Sequence, residues 1–150
     1  MPGAKRVLVV DDDATIREIL HSALSRRDLI IDQAADGGEA LELLRQNSYS
    51  VVLLDLLMPN IDGFGVLEEI GSAISTPVVL VITGADRSLL TQLDAQRIHG
   101  VVRKPFDPED IATLVVACAE IKSRGAFEAM AISAMIAGGP LLAWLNRFGG

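Results

Sequence analysis

Four short apolar runs, each closing on polar or charged residues, limit what this chain can fold into. VLVV at 7–10 meets Asp11, Asp12 and Asp13; VVLL at 51–54 meets Asp55; VVLVI at 78–82 meets Thr83 and Gly84; GVVR at 100–103 meets Lys104 and Pro105. A less uniform run at 29–34 reads as one more strand. Runs apolar on both faces suit a parallel sheet that is covered on both sides. Between them lie stretches with helical spacing. Ile16, Ile19, Leu20, Ala23 and Leu24 form the first stripe, and Ala40, Leu41 and Leu44 the second. Val66, Leu67 and Ile70 follow; then Leu89, Leu90 and Leu93 within 87–97; then Ile111, Leu114, Val115 and Cys118. Such stripes mark helices with one buried face. Asp13 or Thr15 can cap the first helix, and Pro108 suits the first turn of the last. MPNIDG at 58–63 is dense in turn formers and reads as a loop, with Asp62 and Gly63 as turn residues and Gly63 there for backbone freedom. Strand then helix, five times over, predicts an α/β fold with a five-stranded parallel sheet wound on both faces.

Composition narrows the function classes. With 150 residues, half of them apolar, the chain can bury one real core. Its 20 acidic residues against 13 Lys and Arg give a formal charge of −7, which opposes contact with a phosphate backbone, so no nucleic-acid partner is expected. The single cysteine, Cys118, cannot pair within the chain and agrees with a reducing, cytoplasmic setting. The apolar run near the N-terminus is too short for a signal-peptide core.

In an open parallel sheet, ligands bind beyond the carboxyl ends of the strands. There the sequence gathers Asp11, Asp12, Asp55, Thr83 and Lys104. Carboxylates packed together repel, and one ammonium does not balance three of them. A hard divalent cation does, and Mg²⁺ favours carboxylate oxygens together with waters and a phosphate. The set is therefore suited to a metal and a dianionic group. A carboxylate is a competent nucleophile toward phosphorus, already ionised at neutral pH, so the chemistry needs no catalytic histidine. Mg²⁺, Lys104 and Thr83 can each take one equatorial oxygen of a transferred phosphoryl group.

In order and spacing, VLVVDDD, LLDLLMPNIDGF, VITG and VRKPF resemble the receiver domain of two-component response regulators, over about residues 5–122. The resemblance implies a flavodoxin-like strand order 2-1-3-4-5, with Asp55 as phosphoacceptor. It implies Asp12 as direct metal ligand, Asp11 acting partly through water, and the backbone carbonyl of Leu57 as a further ligand of Mg²⁺. Thr83 becomes the switch hydroxyl, Lys104 the partner of the phosphoryl group, and Lys104-Pro105 a cis bond. The implied donor is a sensor histidine kinase, a histidine phosphotransfer protein or a small phosphodonor. The output is an unknown downstream protein reached by conformational change and protein contact. The family usually carries an aromatic three residues before the lysine. Val101 stands there, and valine cannot report the switch as an inward-swinging ring does.

Other residues take plainer readings: Asp13 as helix cap, His21 and His99 as surface histidines, Cys118 as a core residue, Trp144 as a packing anchor. Residues 1–124 are expected to form the receiver and 125–150 an apolar helical extension. Its uncharged stretch, 129–145, is interrupted by Gly138-Gly139-Pro140, so packing or a homodimer through the last helix and tail is favoured over a membrane span. The 26 residues after 124 are too few for a familiar output domain, which leaves a stand-alone receiver or a piece of a longer chain. Two rival functions are a degenerate receiver that only binds partners and a phosphatase with an aspartyl-phosphate intermediate. Such phosphatases usually place a second acid two residues after the nucleophile, where Leu57 stands here. Leucine also cannot orient a hydrolytic water, so self-dephosphorylation is expected to be slow. The phosphoprotein, followed by intact mass, should survive for minutes to hours, and a lifetime of seconds would refute this.

Overall fold

Alternate residues of the first strand face opposite ways, and both faces are apolar. Val7 and Val9 pack into one buried cluster and Leu8 and Val10 into another. A strand of this kind has no solvent face and is held in the middle of a sheet. The computed structural model describes residues 5–56, 58, 63–71, 76–84 and 98–123. These form β1 (Lys5–Val10), α1 (Ala14–Ser25), β2 (Leu29–Ala34), α2 (Gly37–Gln46), β3 (Val51–Leu54), α3 (Gly63–Gly71), β4 (Val78–Thr83), β5 (Gly100–Arg103) and α4 (Pro108–Ser123). All strand pairs are parallel, in the order β2-β1-β3-β4-β5. The expected sheet and strand order are therefore as found. The expected helix over 87–97, the Leu57 carbonyl, Asp62 and the 125–150 extension lie outside the described residues.

Side-chain alternation divides the core. Val51, Leu53, Val78, Leu80 and Ile82 join Val7 and Val9 beneath α1 and α4. Val52, Leu54, Val79 and Val81 join Leu8 and Val10 on the side of α2 and α3. Each such side chain contributes about 1.5–3 kcal/mol on full burial. The stripe of α4 is buried as expected, at Ile111, Leu114, Val115 and Cys118. Burial holds the Cys118 thiol up at about 12, so it is a protonated core residue rather than a reactive one.

Local chemistry sets the helix starts. The Asp13 carboxylate accepts from the backbone N–H of Thr15 and of Ile16, which settles the first cap in favour of Asp13. For α2, Asp36 accepts from the Glu39 N–H, while the Glu39 carboxylate reaches back to the Ala35 N–H. This reciprocal pair fixes the chain's entry into the helix. Among the described residues, no helix is long and apolar enough to cross a membrane.

Two sequence readings need correction. Ile19, placed on the buried stripe of α1, is 39% exposed. Leu20, Ala23 and Leu24 fill the space over the sheet, and Ile19 falls at the margin of that face. His99 is not a surface histidine. It is half-buried, its ring Nδ1 accepts the Val79 N–H at 3.0 Å, and its own N–H donates to the Val79 carbonyl at 2.8 Å. The ring thus takes up a backbone donor at the start of β4, which no spacing pattern signals. Burial, then the nearby Lys122 charge, lowers the His99 pKa below its ordinary 6.5. A histidine depressed in the fold stabilises fully above pH 6.5 and loses that contribution as pH falls toward its folded value. His99→Gln should therefore flatten the loss of stability below pH 6.5, measured by urea unfolding across pH. An unchanged pH profile would refute the assignment.

Candidate metal and acceptor site

The site is built on ladder bonds that run one step past the strands. Asp11 donates its N–H to the Ala34 carbonyl at 3.1 Å, extending the β1–β2 ladder. Asp55 donates to Val10 at 2.9 Å, extending β1–β3, and Lys104 to Thr83 at 3.1 Å, extending β4–β5. The backbones of Asp11, Asp55 and Lys104 are therefore fixed by the same hydrogen bonds that make the sheet. The side chains that follow have little freedom to be elsewhere.

Gly63 closes the floor. Its N–H donates to the Leu56 carbonyl at 3.0 Å. A Cβ on Gly63 would lie 2.3 Å from the Asp55 carbonyl oxygen and 2.5 Å from the Leu56 Cα. The first turn of α3 thus rests directly on the backbone of Asp55. The reason for glycine is room for this approach, not the backbone freedom the sequence suggested.

Four of the expected polar ends, Asp11, Asp12, Asp55 and Lys104, converge. One ligand oxygen from each of Asp11, Asp12 and Asp55 lies within 4.8 Å of the others. The Lys104 ammonium donates to Asp11 Oδ2 at 2.8 Å and reaches Asp55 Oδ2 at 3.4 Å. Asp11 is 3% exposed and Asp55 6%, while Asp12 stands in solvent. Thr83 is fully buried at the last position of β4, paired with Arg103. The Lys104-Pro105 bond is cis.

Asp11 is held through both carboxylate oxygens and its backbone carbonyl. Its Oδ1 accepts the Asp13 N–H at 2.9 Å, its Oδ2 accepts from Lys104, and its backbone carbonyl accepts from the Arg17 guanidinium at 2.6 Å. Sequence reasoning missed Arg17, because a contact back over six residues depends on the turn between β1 and α1 and not on a motif.

Charge decides what this arrangement can hold. At separations near 4–5 Å, each pair of carboxylates repels by roughly 3–4 kcal/mol at an effective dielectric of about 20. The Lys104 ammonium touches two of the three acids, and with the Arg17 guanidinium bonded to a backbone carbonyl nearby the cluster still carries excess negative charge. Two of the acids are buried, so solvent does not remove the cost. An all-oxygen, carboxylate donor set with this excess charge fits a hard divalent cation such as Mg²⁺. Burial alone would lower the Lys104 pKa, but its hydrogen bond to Asp11 and the charges of Asp55 and Asp11 outweigh that and raise it above 10.5.

Comparison with known proteins agrees with this geometry. The sequence pattern of the Response regulator receiver domain family matches residues 7–116. The probable transcriptional regulator ycf27 of Guillardia theta is 36% identical over 124 residues, 82% of this chain and 48% of that one. The transcriptional regulatory protein ResD of Bacillus subtilis is 33% identical over 112 residues, 75% of this chain and 47% of its own. The chain thus spans about half the length of the curated relatives it matches. Among solved structures, the response regulator protein TrrA of Thermotoga maritima, in complex with Mg²⁺-BeF, is 32% identical with a TM-score of 0.68, covering 76% of this chain and 98% of that one. A CheY-like receiver domain protein from Methanospirillum hungatei, 21% identical, shares the fold with a TM-score of 0.75 over 81% of this chain and 98% of its own.

The raised Lys104 pKa has a definite sign. While its carboxylate partners are ionised, this pairing stabilises the fold fully up to pH 10.5 and is lost as pH rises through the higher folded value. Lys104→Met should therefore cost about 1–3 kcal/mol at neutral pH in Mg²⁺-free buffer. It should also abolish the part of the alkaline destabilisation that lies above pH 10.5, read by urea unfolding at neutral and alkaline pH.

Proposed function

The chain belongs to the response regulator receiver domain family, and on that premise we propose that it accepts a phosphoryl group on Asp55 and signals by changing shape. One Asp55 carboxylate oxygen forms the new O–P bond while the donor's bond to phosphorus breaks. With a phosphohistidine donor, the imidazole nitrogen leaves with the bonding pair. The observation that carries this reading is the shared ammonium: Lys104 bridges the buried acids of two different strands, 2.8 Å from Asp11 and 3.4 Å from Asp55. A cation held between the acceptor and a second acid is placed to neutralise an incoming phosphoryl oxygen.

Asp11, Asp12 and Asp55 are the residues that would hold Mg²⁺, with the Leu57 carbonyl as a further candidate ligand. When bound, the ion supplies charge neutralisation for the acids and the phosphoryl oxygens. Lys104 then pairs with the phosphoryl group in place of its present bond to Asp11. Thr83 supplies the hydroxyl that follows the group. Val101 is half-buried and packs against the α2–α3 side of the core, so the readout there is a shift in packing rather than a ring swing.

The proposed donor is a sensor histidine kinase or a histidine phosphotransfer protein. The −7 charge opposes direct contact of these residues with a phosphate backbone. A transcriptional output of the kind the relatives' names state is therefore read as indirect, through protein contact. The domain is read as a signalling module and not a turnover enzyme, working in the cytoplasm, where its kinase partner would phosphorylate it.

The test uses acetyl phosphate with Mg²⁺, read by intact mass. The wild-type chain should gain one phosphoryl group and Asp55→Asn none, and chelation of the metal should abolish labelling. Labelling of Asp55→Asn at the wild-type rate would sink the acceptor assignment. Sustained release from a chromogenic phosphate ester would favour the phosphatase reading instead.

A further inference from the structure

The acid loop between β1 and α1 carries two of the three site carboxylates, yet they are held very differently. Both oxygens of Asp11 are bonded within the fold, to the Asp13 N–H and to Lys104. Asp12 is exposed, so the direction of its carboxylate follows from the backbone that bears it. That backbone is gripped on both sides by one residue. The Arg17 N–H donates to the Asp13 carbonyl at 3.1 Å, the first helical bond of α1. Its guanidinium donates to the Asp11 carbonyl at 2.6 Å. The peptide group before Asp12 and the one after Asp13 are thus tied to a single, half-buried residue on the helix, while the peptide between them donates its Asp13 N–H to Asp11 Oδ1.

We propose that Arg17 is a positioning residue for divalent-cation binding: it clasps the Asp11–Asp13 loop so that Asp12 is aimed at Asp11 and Asp55. The inference rests on the metal-dependent acceptor reading above and adds to it a residue that does not itself touch the metal. A guanidinium suits the task because a charge-assisted bond to a carbonyl is short and strong, and its planar head loses little freedom in making it. Partners behind the ligands of a metal typically govern its affinity by roughly 10–100-fold.

A second effect runs the other way and makes the test decisive. The guanidinium is also a positive charge near a cation site, and removing it reduces repulsion toward an incoming Mg²⁺. If charge dominates, loss of Arg17 tightens Mg²⁺ binding. If the clasp dominates, loss of Arg17 weakens it.

The experiment is a calorimetric titration of Mg²⁺ alone into the wild-type chain, Arg17→Ala, Arg17→Lys and Asp12→Asn, with thermal unfolding of each in metal-free buffer. Arg17→Ala is expected to raise the dissociation constant about ten-fold or more. Arg17→Lys, which keeps the charge and loses the fork, should fall between Arg17→Ala and wild type. With acetyl phosphate, the Mg²⁺ concentration for half-maximal labelling should rise by the same factor, while the rate at saturating Mg²⁺ stays within about two-fold. Unchanged or tighter binding by folded Arg17→Ala overturns the proposal, as does a lower melting temperature with the wild-type dissociation constant. Should Arg17→Ala fail to fold, wild-type affinity in Arg17→Lys overturns it equally. Failure of the underlying reading is a different result: the wild-type chain would show no specific Mg²⁺ heat, or Asp12→Asn would bind Mg²⁺ as tightly as wild type.

Discussion

Parallel pairing of β1, β3, β4 and β5 is the constraint from which the site follows. In a parallel sheet all strands end at the same rim, so whatever residue terminates each apolar run is delivered there. The rungs from Asp11 to Ala34, from Asp55 to Val10 and from Lys104 to Thr83 carry that order one residue beyond the strands. The register of the hydrophobic core therefore also sets the register of the acids and the lysine. A one-residue slip of β3 against β1 would exchange the two faces of the core and move Asp55 off the rim.

This coupling gives the site its rigidity and its electrostatic strain. Asp11 and Asp55 are buried, and Gly63 lets the first turn of α3 come within touching distance of the Asp55 backbone. Burial removes the solvent that would screen the acids, so their mutual repulsion is met by cations. Lys104 meets part of it from within the chain. The remainder would favour a bound divalent ion, and in the proposed reaction Lys104 would exchange Asp11 for the phosphoryl group.

Much of the fold could be read from the chain because its signals are local. Apolar runs of four to six residues marked the strands, and their bounds fell within a residue or two of those observed. The convergence of Asp11, Asp12, Asp55 and Lys104 was legible because each closes such a run. What escaped depends on contacts between segments far apart or on the sense of a turn. His99 turns its ring back onto Val79; Arg17 reaches over the cap of its own helix; Ile19 fits the stripe by spacing but is exposed. Gly63 was recognised as necessary, yet its reason is crowding by a neighbouring backbone, which only three-dimensional proximity shows.

The outer strand β2 carries one more device. Asp32 Oδ2 accepts from the Arg6 guanidinium and from the Tyr49 hydroxyl, each at 2.8 Å, and burial with this partner raises the Tyr49 pKa well above its usual value. An ionic cluster set into the margin of a sheet discourages a foreign strand from docking along it, since docking would strip water from the charges without offering new partners. The Arg6–Asp32–Tyr49 group would therefore oppose edge-to-edge pairing of a foreign strand along β2.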